Sequence, residues 1–430
     1  MRKVVSLLLT LTLLGSIIVL PAAADEYAPV TLELWNAYTG PDGEVLEQVV
    51  ERFNEVNERN ITIVLDRDSN MNTKLVTAFS SNTAPALFTM SMLDMANYVV
   101  QGNLRPISDI WDRTTLDKDD FSADVLATGQ YHGEQYIMPL QINSRYVYWN
   151  KDLLAKAGYD PDVGPKTWDE FAEMSLAMTD AKNGVYGGTI PYDNCGAIMS
   201  MMIDYGGNVM KTVDGEVYSD MYSEGSVEAL KKWKSMMDNG SSTCVNITDS
   251  QTMMRAGILG FTCTYPSLSV DLGEYINYGV CVLPAGPEGQ VNDIAVNGFA
   301  VSKNATDEQM AAIYHFLEYW NNTSSETALD EFHQIPAVRW SLDCGYPPYL
   351  KSVRENEEVA AKWPLSVFCE YADYATNVYA EEFTGIGFLV MSVFTPMCEE
   401  IAYGKAEDVD SILQRYHDIF NTWKEHVAAK

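Results

Sequence analysis

From Val30 onward the chain alternates apolar and polar positions in short blocks. Val30, Leu32 and Leu34 alternate with Thr31, Glu33 and Trp35, the period of a strand with one buried face. The turn Gly40-Pro41-Asp42-Gly43 follows, and then Val45, Leu46, Val49, Val50 and Phe53 recur at helical spacing. Ile61-Thr62-Ile63-Val64-Leu65 reads as a second strand, Leu75, Val76 and Phe79 as a second helix, and Ala86 to Met90 as a third strand. The order β-α-β-α-β predicts a mostly parallel sheet with helices on both faces. Such sheets bind ligands beyond the carboxyl ends of their strands. Here those ends carry the segment from Asn36 to Gly40, with Tyr38, and the pair Ser91-Met92.

A second α/β section begins near Arg145. Residues 145–150 read as a strand and 152–157 as a short helix. Thr167-Trp168-Asp169-Glu170 has the form of a capping box, in which the threonine accepts an amide three residues on and the glutamate reaches back. Further helices are predicted over 226–238, 307–320 and 407–424, and strands over 260–264 and 278–282. No internal repeat or low-complexity linker separates the sections, so they are expected to share crossing segments, as hinged lobes do.

Composition adds the compartment. The 430 residues are 47% hydrophobic, enough for one large or two medium domains. Arg2 and Lys3 precede an apolar run from Val4 to Leu20, and Pro21 and Ala22-Ala23-Ala24 close it. That order is a secretory signal peptide over residues 1–24; an uncleaved membrane anchor is the other reading. No later stretch reads as a span. Without the leader, 26 basic and 60 acidic residues remain, a surface that repels nucleic acid and anionic lipid. Seven cysteines in an exported chain permit disulfides but leave at least one thiol over. No Cys-x-x-Cys occurs, and most of the seven are read as small buried hydrophobes. Neither a zinc, P-loop nor nucleophile-elbow motif is found, and Gly385-x-Gly387 lacks the third glycine of a dinucleotide loop. No metal, cofactor or catalytic residue is therefore expected.

The stretch Arg145-Tyr-Val-Tyr-Trp-Asn-Lys-Asp-Leu-Leu-Ala-Lys-Ala-Gly158, followed by Pro165-Lys-Thr-Trp-Asp-Glu-Phe171, closely resembles a signature of the carbohydrate-type extracellular solute-binding proteins that serve ABC importers, the maltose-binding-protein-like group. Leu32 to Trp35, Gly102 to Ile107, Tyr205 to Asn208, Gly279 to Pro284, Asn297 to Lys303 and Ile335 to Arg339 resemble other blocks of the group in the same order. Two departures stand out: Pro85-Ala-Leu87 replaces a common Pro-Asp-Val, and no lipobox cysteine follows the leader. The resemblance implies a two-lobed periplasmic-binding-protein fold of type II character, each lobe a mostly parallel sheet flanked by helices. Lobe I would comprise 25–142 and 297–342, and lobe II 143–296 and 343–430. It further implies a monomer that is periplasmic or at the cell surface. That monomer would close on a small-molecule ligand, a sugar or oligosaccharide, and dock on two permease subunits.

Sugar recognition demands aromatic rings for the C–H faces of the pyranose and fixed polar groups for its hydroxyls. By position in the group, the ligand-binding candidates are Asn36, Tyr38, Ser91, Met92, Asn143, Arg145, Tyr192, Asp193, Tyr265, Asn297, Gly298, Arg339, Trp340 and Phe388. Among these, Tyr265 and Trp340 are expected to stack on the ligand from opposite lobes, and Asn143 and Asp193 to hold its hydroxyls. Each has a plainer role open to it: Met92 as packing, Arg145 as a hinge ion pair. Trp35, Tyr146, Tyr148 and Trp149 read as core. A receptor for a glycerophosphodiester, polyamine or peptide, and a secreted glycosidase, are the competing functions. The isolated arginines at cleft positions do not make the cluster a phosphate site needs.

Overall fold

The computed structural model describes residues 27–214, 216–322, 335–379 and 385–428; the expected leader lies outside them. Strand β1 (Val30–Asn36) buries Leu32 and Leu34 and turns Glu33 outward. Helix α1 (Pro41–Val56) has Pro41 in its first turn, where a missing amide costs nothing. It buries the five apolar residues its spacing singled out. Strand β2 (Ile61–Arg67) runs parallel to β1 along its whole length. After α2 (Met71–Ser80), β3 (Leu87–Ser91) pairs parallel with β1 on the other side. Ser91 then caps α3 (Met92–Val100) by accepting the amide of Leu93. Two more strands, β4 (Leu104–Arg105) and the fully buried β5 (Ile137–Ile142), complete the outward passage through the first lobe.

The chain then crosses. Strand β6 (Tyr146–Asn150) is a central strand of the second sheet. Asn150 caps α4 (Lys151–Lys156), its side-chain oxygen accepting two backbone amides. Thr167 caps α5 (Trp168–Met178) by accepting the amide of Glu170 at 3.1 Å. The reciprocal half of the capping box is displaced: Glu170 accepts from the amide of Lys166, one residue earlier than expected. Thr167 is held in a β-bridge to Ala285, which fixes the backbone there. Strand β7 (Tyr186–Thr189), helices α6 (Cys195–Asp204) and α7 (Glu224–Asp238), and strands β8 (Leu259–Thr264) and β9 (Tyr278–Val282) finish this lobe. The sheet order is β9-β6-β8-β7.

Strand β10 (Asn292–Asp293) leads to the second crossing, and β11 (Val296–Ser302) re-enters the first sheet between β3 and β5. There it meets helices α8 (Asp307–Asn321) and α9 (Pro336–Cys344). Strand β12 (Ala375–Thr376) later pairs with β10. Helices α10 (Thr395–Tyr403) and α11 (Val409–Ala428) close the fold.

Three expectations need correction. The sheets are mixed rather than mostly parallel. β1, β2 and β3 are parallel, but β11 is antiparallel to β3, β4 and β5, and β6 is antiparallel to both its neighbours. A strand returning from the other lobe enters from the opposite end, so its direction reverses. The boundary expected at residues 342/343 would cut α9, and first-lobe contacts continue past it. The amide of Ser122 donates to the carbonyl of Tyr349, and that of Ser352 to Asp120. Second-lobe contacts begin with Trp363 on Tyr278 and Phe368 on Tyr146, so this crossing lies between Ser352 and Trp363. Finally, the run from Ile386 to Tyr403 is long and apolar enough to cross a membrane by composition alone. Half of it is buried, with Met397, Cys398 and Ile401 inaccessible to solvent, the pattern of a core helix. All seven cysteines are free thiols.

Asp204, at the end of α6, ties three segments of the second lobe together. Its carboxylate accepts the indole N–H of Trp168 at 3.0 Å and the amide of Val291 at 2.8 Å. Burial outweighs both bonds and pushes its pKa from 3.8 to about 7. The folded state therefore holds a proton between these values that the unfolded chain has released, and this stabilisation, complete below about pH 4, is lost as pH rises through about 7. Asp204→Ala leaves both donors unsatisfied and costs about 1–3 kcal/mol. We expect that loss, measured by denaturant titration, to be larger at pH 5 than at pH 8. A loss that grows with pH would contradict this assignment.

Candidate functional site

The two crossing segments lie side by side. The last paired residues of β5 and β11 are Ile142 and Val296, and beyond them the amide of Asn143 donates to the carbonyl of Ala295 at 2.7 Å. A cavity of about 330 Å³ opens at this point. The first lobe contributes Ser91, Leu93, Asn297 and Tyr346, the crossings contribute Asn143 and Ala295, and the second lobe contributes Arg145, Tyr265 and Ser267. Its size is at the lower end of the range for small-molecule sites. Three further depressions, of about 740, 650 and 550 Å³, each lie within one lobe.

Local structure explains each position. β11 breaks register between Asn297 and Gly298. A Cβ on Gly298 would come within 2.2 Å of the Met138 carbonyl, so only glycine permits this approach of β11 to β5. Gly298 thus acts through the backbone and does not line the cavity. Gln141, on β5, donates its amide to the Asn143 side chain at 2.8 Å, leaving its own oxygen buried without a partner among the described residues.

Arg145 is the cation of the cavity lining. Its Nη1 lies 3.3 Å from Asp293 and donates to the Asn143 carbonyl at 2.7 Å. Its Nε donates to Asn194 at 3.4 Å, and its guanidinium sits 5.0 Å from the centre of the Tyr265 ring. Asp293 is fully buried. Burial pushes its carboxyl upward and Arg145 pulls it back. For Arg145, burial opposes the charge, but Tyr265 and Asp293 outweigh it and hold the guanidinium protonated.

Behind the first-lobe wall, the Tyr38 hydroxyl is buried near Asn297 without a well-formed hydrogen bond, and burial raises its pKa. The Tyr38 ring lies 6.1 Å from that of Trp340, which is 1% exposed. Trp340 in turn stacks on Tyr346 at 5.9 Å and meets Trp320 edge-on. Its indole N–H has no partner among the described residues. Trp340 is therefore a core residue behind the wall, and Tyr346 is the ring that lines the cavity.

The remaining candidates stand apart from the lining. Asn36 is buried at the end of β1, donating to Thr89 and accepting the Tyr38 amide. Met92 is buried in the first turn of α3. Tyr192 packs on Tyr403. Asp193 accepts the amide of Ile247 at 2.8 Å, and burial raises its pKa. Arg339, near the start of α9, pairs with Asp343 and donates to the Gln48 side chain of α1. Phe388 stacks on Trp423 at 4.2 Å. The lining residues Leu93, Ser267, Ala295 and Tyr346, and the counter-ion Asp293, were not among the sequence candidates. Among the described residues no cluster of His, Cys, Asp or Glu could hold a metal.

Known proteins agree with this architecture. The sugar-binding protein of Xanthomonas citri superposes with a TM-score of 0.76 at 18% identity, over 93% of this chain and 100% of that one. The cyclic α-maltosyl-1,6-maltose binding protein of Arthrobacter globiformis gives 0.76 at 19%, with the same coverage. The sn-glycerol-3-phosphate-binding periplasmic protein of Salmonella typhimurium is 22% identical over 362 residues, 80% of each chain. A protein of Brucella abortus (strain 2308) is 28% identical over 322 residues, 71% of this chain and 76% of that one. The model for the bacterial extracellular solute-binding proteins matches residues 48–366; the chain belongs to that family.

Proposed function

We propose that this chain is the solute receptor of an ABC importer, exported from the cytoplasm, and that it captures a sugar or short oligosaccharide in the cavity between its lobes. The observation that carries this reading is the cavity itself, lined from both lobes at the point where two crossing segments meet. A ligand touching both walls favours the closed arrangement, and the closed receptor is what two permease subunits would dock. The lining combines two aromatic rings, Tyr265 and Tyr346, with Ser91, Asn143, Ser267, Asn297 and Arg145. That mixture suits a ring with apolar faces and hydroxylated edges. Glycoside hydrolysis uses a pair of carboxylic acids instead, and the lining holds none, so we read binding without turnover. Sugar-binding proteins among the structural neighbours support the same choice.

Thermal shift against a panel of neutral sugars and polyols tests the reading. A ligand at 100 times its Kd should add about 2.7 kcal/mol of stability, with chromatography detecting no product. A panel without any shift would remove the sugar assignment.

Tyr265→Ala should weaken that binding by about tenfold, the loss of one desolvated aromatic contact, while the variant stays folded. Trp340→Ala should behave differently. It removes a buried ring from the first-lobe core and should cost about 3–5 kcal/mol of stability by denaturant titration. Equal effects of the two variants on stability would contradict the placement of Trp340 behind the wall.

A further inference from the structure

The charge balance of the cavity narrows the class of solute, given that the cavity is the solute site proposed above. Arg145 is the basic residue of the lining, and its countercharge is built in. Asp293 lies 3.3 Å away at zero exposure, and its amide donates to Ser200 at 2.9 Å. Its two-residue strand is clamped against Ala375-Thr376. The pair is also tightly enclosed: a Cβ on Gly196 would fall 2.4 Å from the Arg145 guanidinium carbon and 2.7 Å from Asp293 Oδ2. Backbone and side-chain acceptors occupy Arg145 Nη1 and Nε, while Nη2 has no partner among the described residues.

An anion in this cavity meets both halves of the pair. The Coulomb attraction of Arg145 for a phosphate is opposed by the repulsion of Asp293 a few ångströms further on, in an interior where neither is well screened. A phosphate site needs clustered or unpaired cations. A neutral hydroxyl needs only a donor, and a neutralised guanidinium remains a good one.

We propose that Asp293 is a specificity residue. It holds Arg145 neutralised, so that Arg145 positions a neutral, hydroxylated solute, and solutes bearing a phosphate group are excluded.

The test compares the full chain with Asp293→Asn and Asp293→Glu, using sn-glycerol 3-phosphate, inorganic phosphate and the neutral sugar panel as probes in thermal shift and calorimetry. The native chain should bind a neutral member of the panel and show no response to either phosphate. Asp293→Asn should gain at least about tenfold in affinity for glycerol 3-phosphate, the worth of one charge-assisted hydrogen bond. Its melting point should also rise with inorganic phosphate, which restores the lost countercharge. Asp293→Glu keeps the charge and should stay unresponsive. Native protein that binds glycerol 3-phosphate as tightly as any sugar overturns the proposal, and this result needs no variant to fold. Folded Asp293→Asn without any gain, or Asp293→Glu with the same gain, overturns the role of Asp293 while native sugar binding leaves the cavity reading standing. A native chain that binds neither class overturns both.

Discussion

The pairing of β5 with β11 is the constraint on which the rest of the molecule depends. It brings two crossings, separated by about 150 residues of chain, into one hydrogen-bonded ribbon that ends at Ile142 and Val296. Just past that ribbon the polypeptide must leave one sheet and enter another, and the bond from Asn143 to Ala295 holds the two exits together. Whatever lies two or three residues beyond is therefore placed at the junction of the lobes with little freedom. On one segment this is Arg145. On the other it is Asn292 and Asp293, where Asn292 both accepts the Arg145 amide and donates to its carbonyl. The ion pair is in this sense a consequence of strand pairing.

Burying such a pair is costly unless its remaining bonds are satisfied. Here the surroundings do most of that work. Asn194, Asn143, Ser200 and the Tyr265 ring each contact one half of it, and Gly196 makes room for it. Four polar atoms near the junction lack partners among the described residues: the Tyr38 hydroxyl, Gln141 Oε1, the Trp340 indole nitrogen and Asp293 Oδ1. None of the four belongs to a residue that lines the cavity, so they lie behind its wall.

Much of the scaffold was legible in the sequence because it rests on local physics. Strand β1 declares itself through a two-residue period, α1 through five apolar residues on one face, and α5 through the threonine that caps it. The crossings at Asn143 and Asn297 were legible through resemblance rather than periodicity. What stayed hidden depends on partners remote in sequence. Asp293 sits in a two-residue strand whose essential neighbour is Arg145. Phe388 is claimed by Trp423, and Asp193 by the amide of Ile247. Trp340 misled for a different reason. Helix α9 buries Ala337, Val338, Arg339, Trp340 and Ser341 consecutively, so the helix has no exposed face from which to decide which ring reaches the cleft. Tyr346, two residues past its end, does so instead.

Ligand binding at the junction of the crossings can be followed by hydrogen–deuterium exchange. The full chain would be compared with and without the sugar that stabilises it most. Added protection should concentrate at residues 143–145, 265–267 and 292–297, the segments that line and join the cavity. Protection confined to the surface depressions at 273–278 or 115–121, with the crossings unchanged, would contradict it.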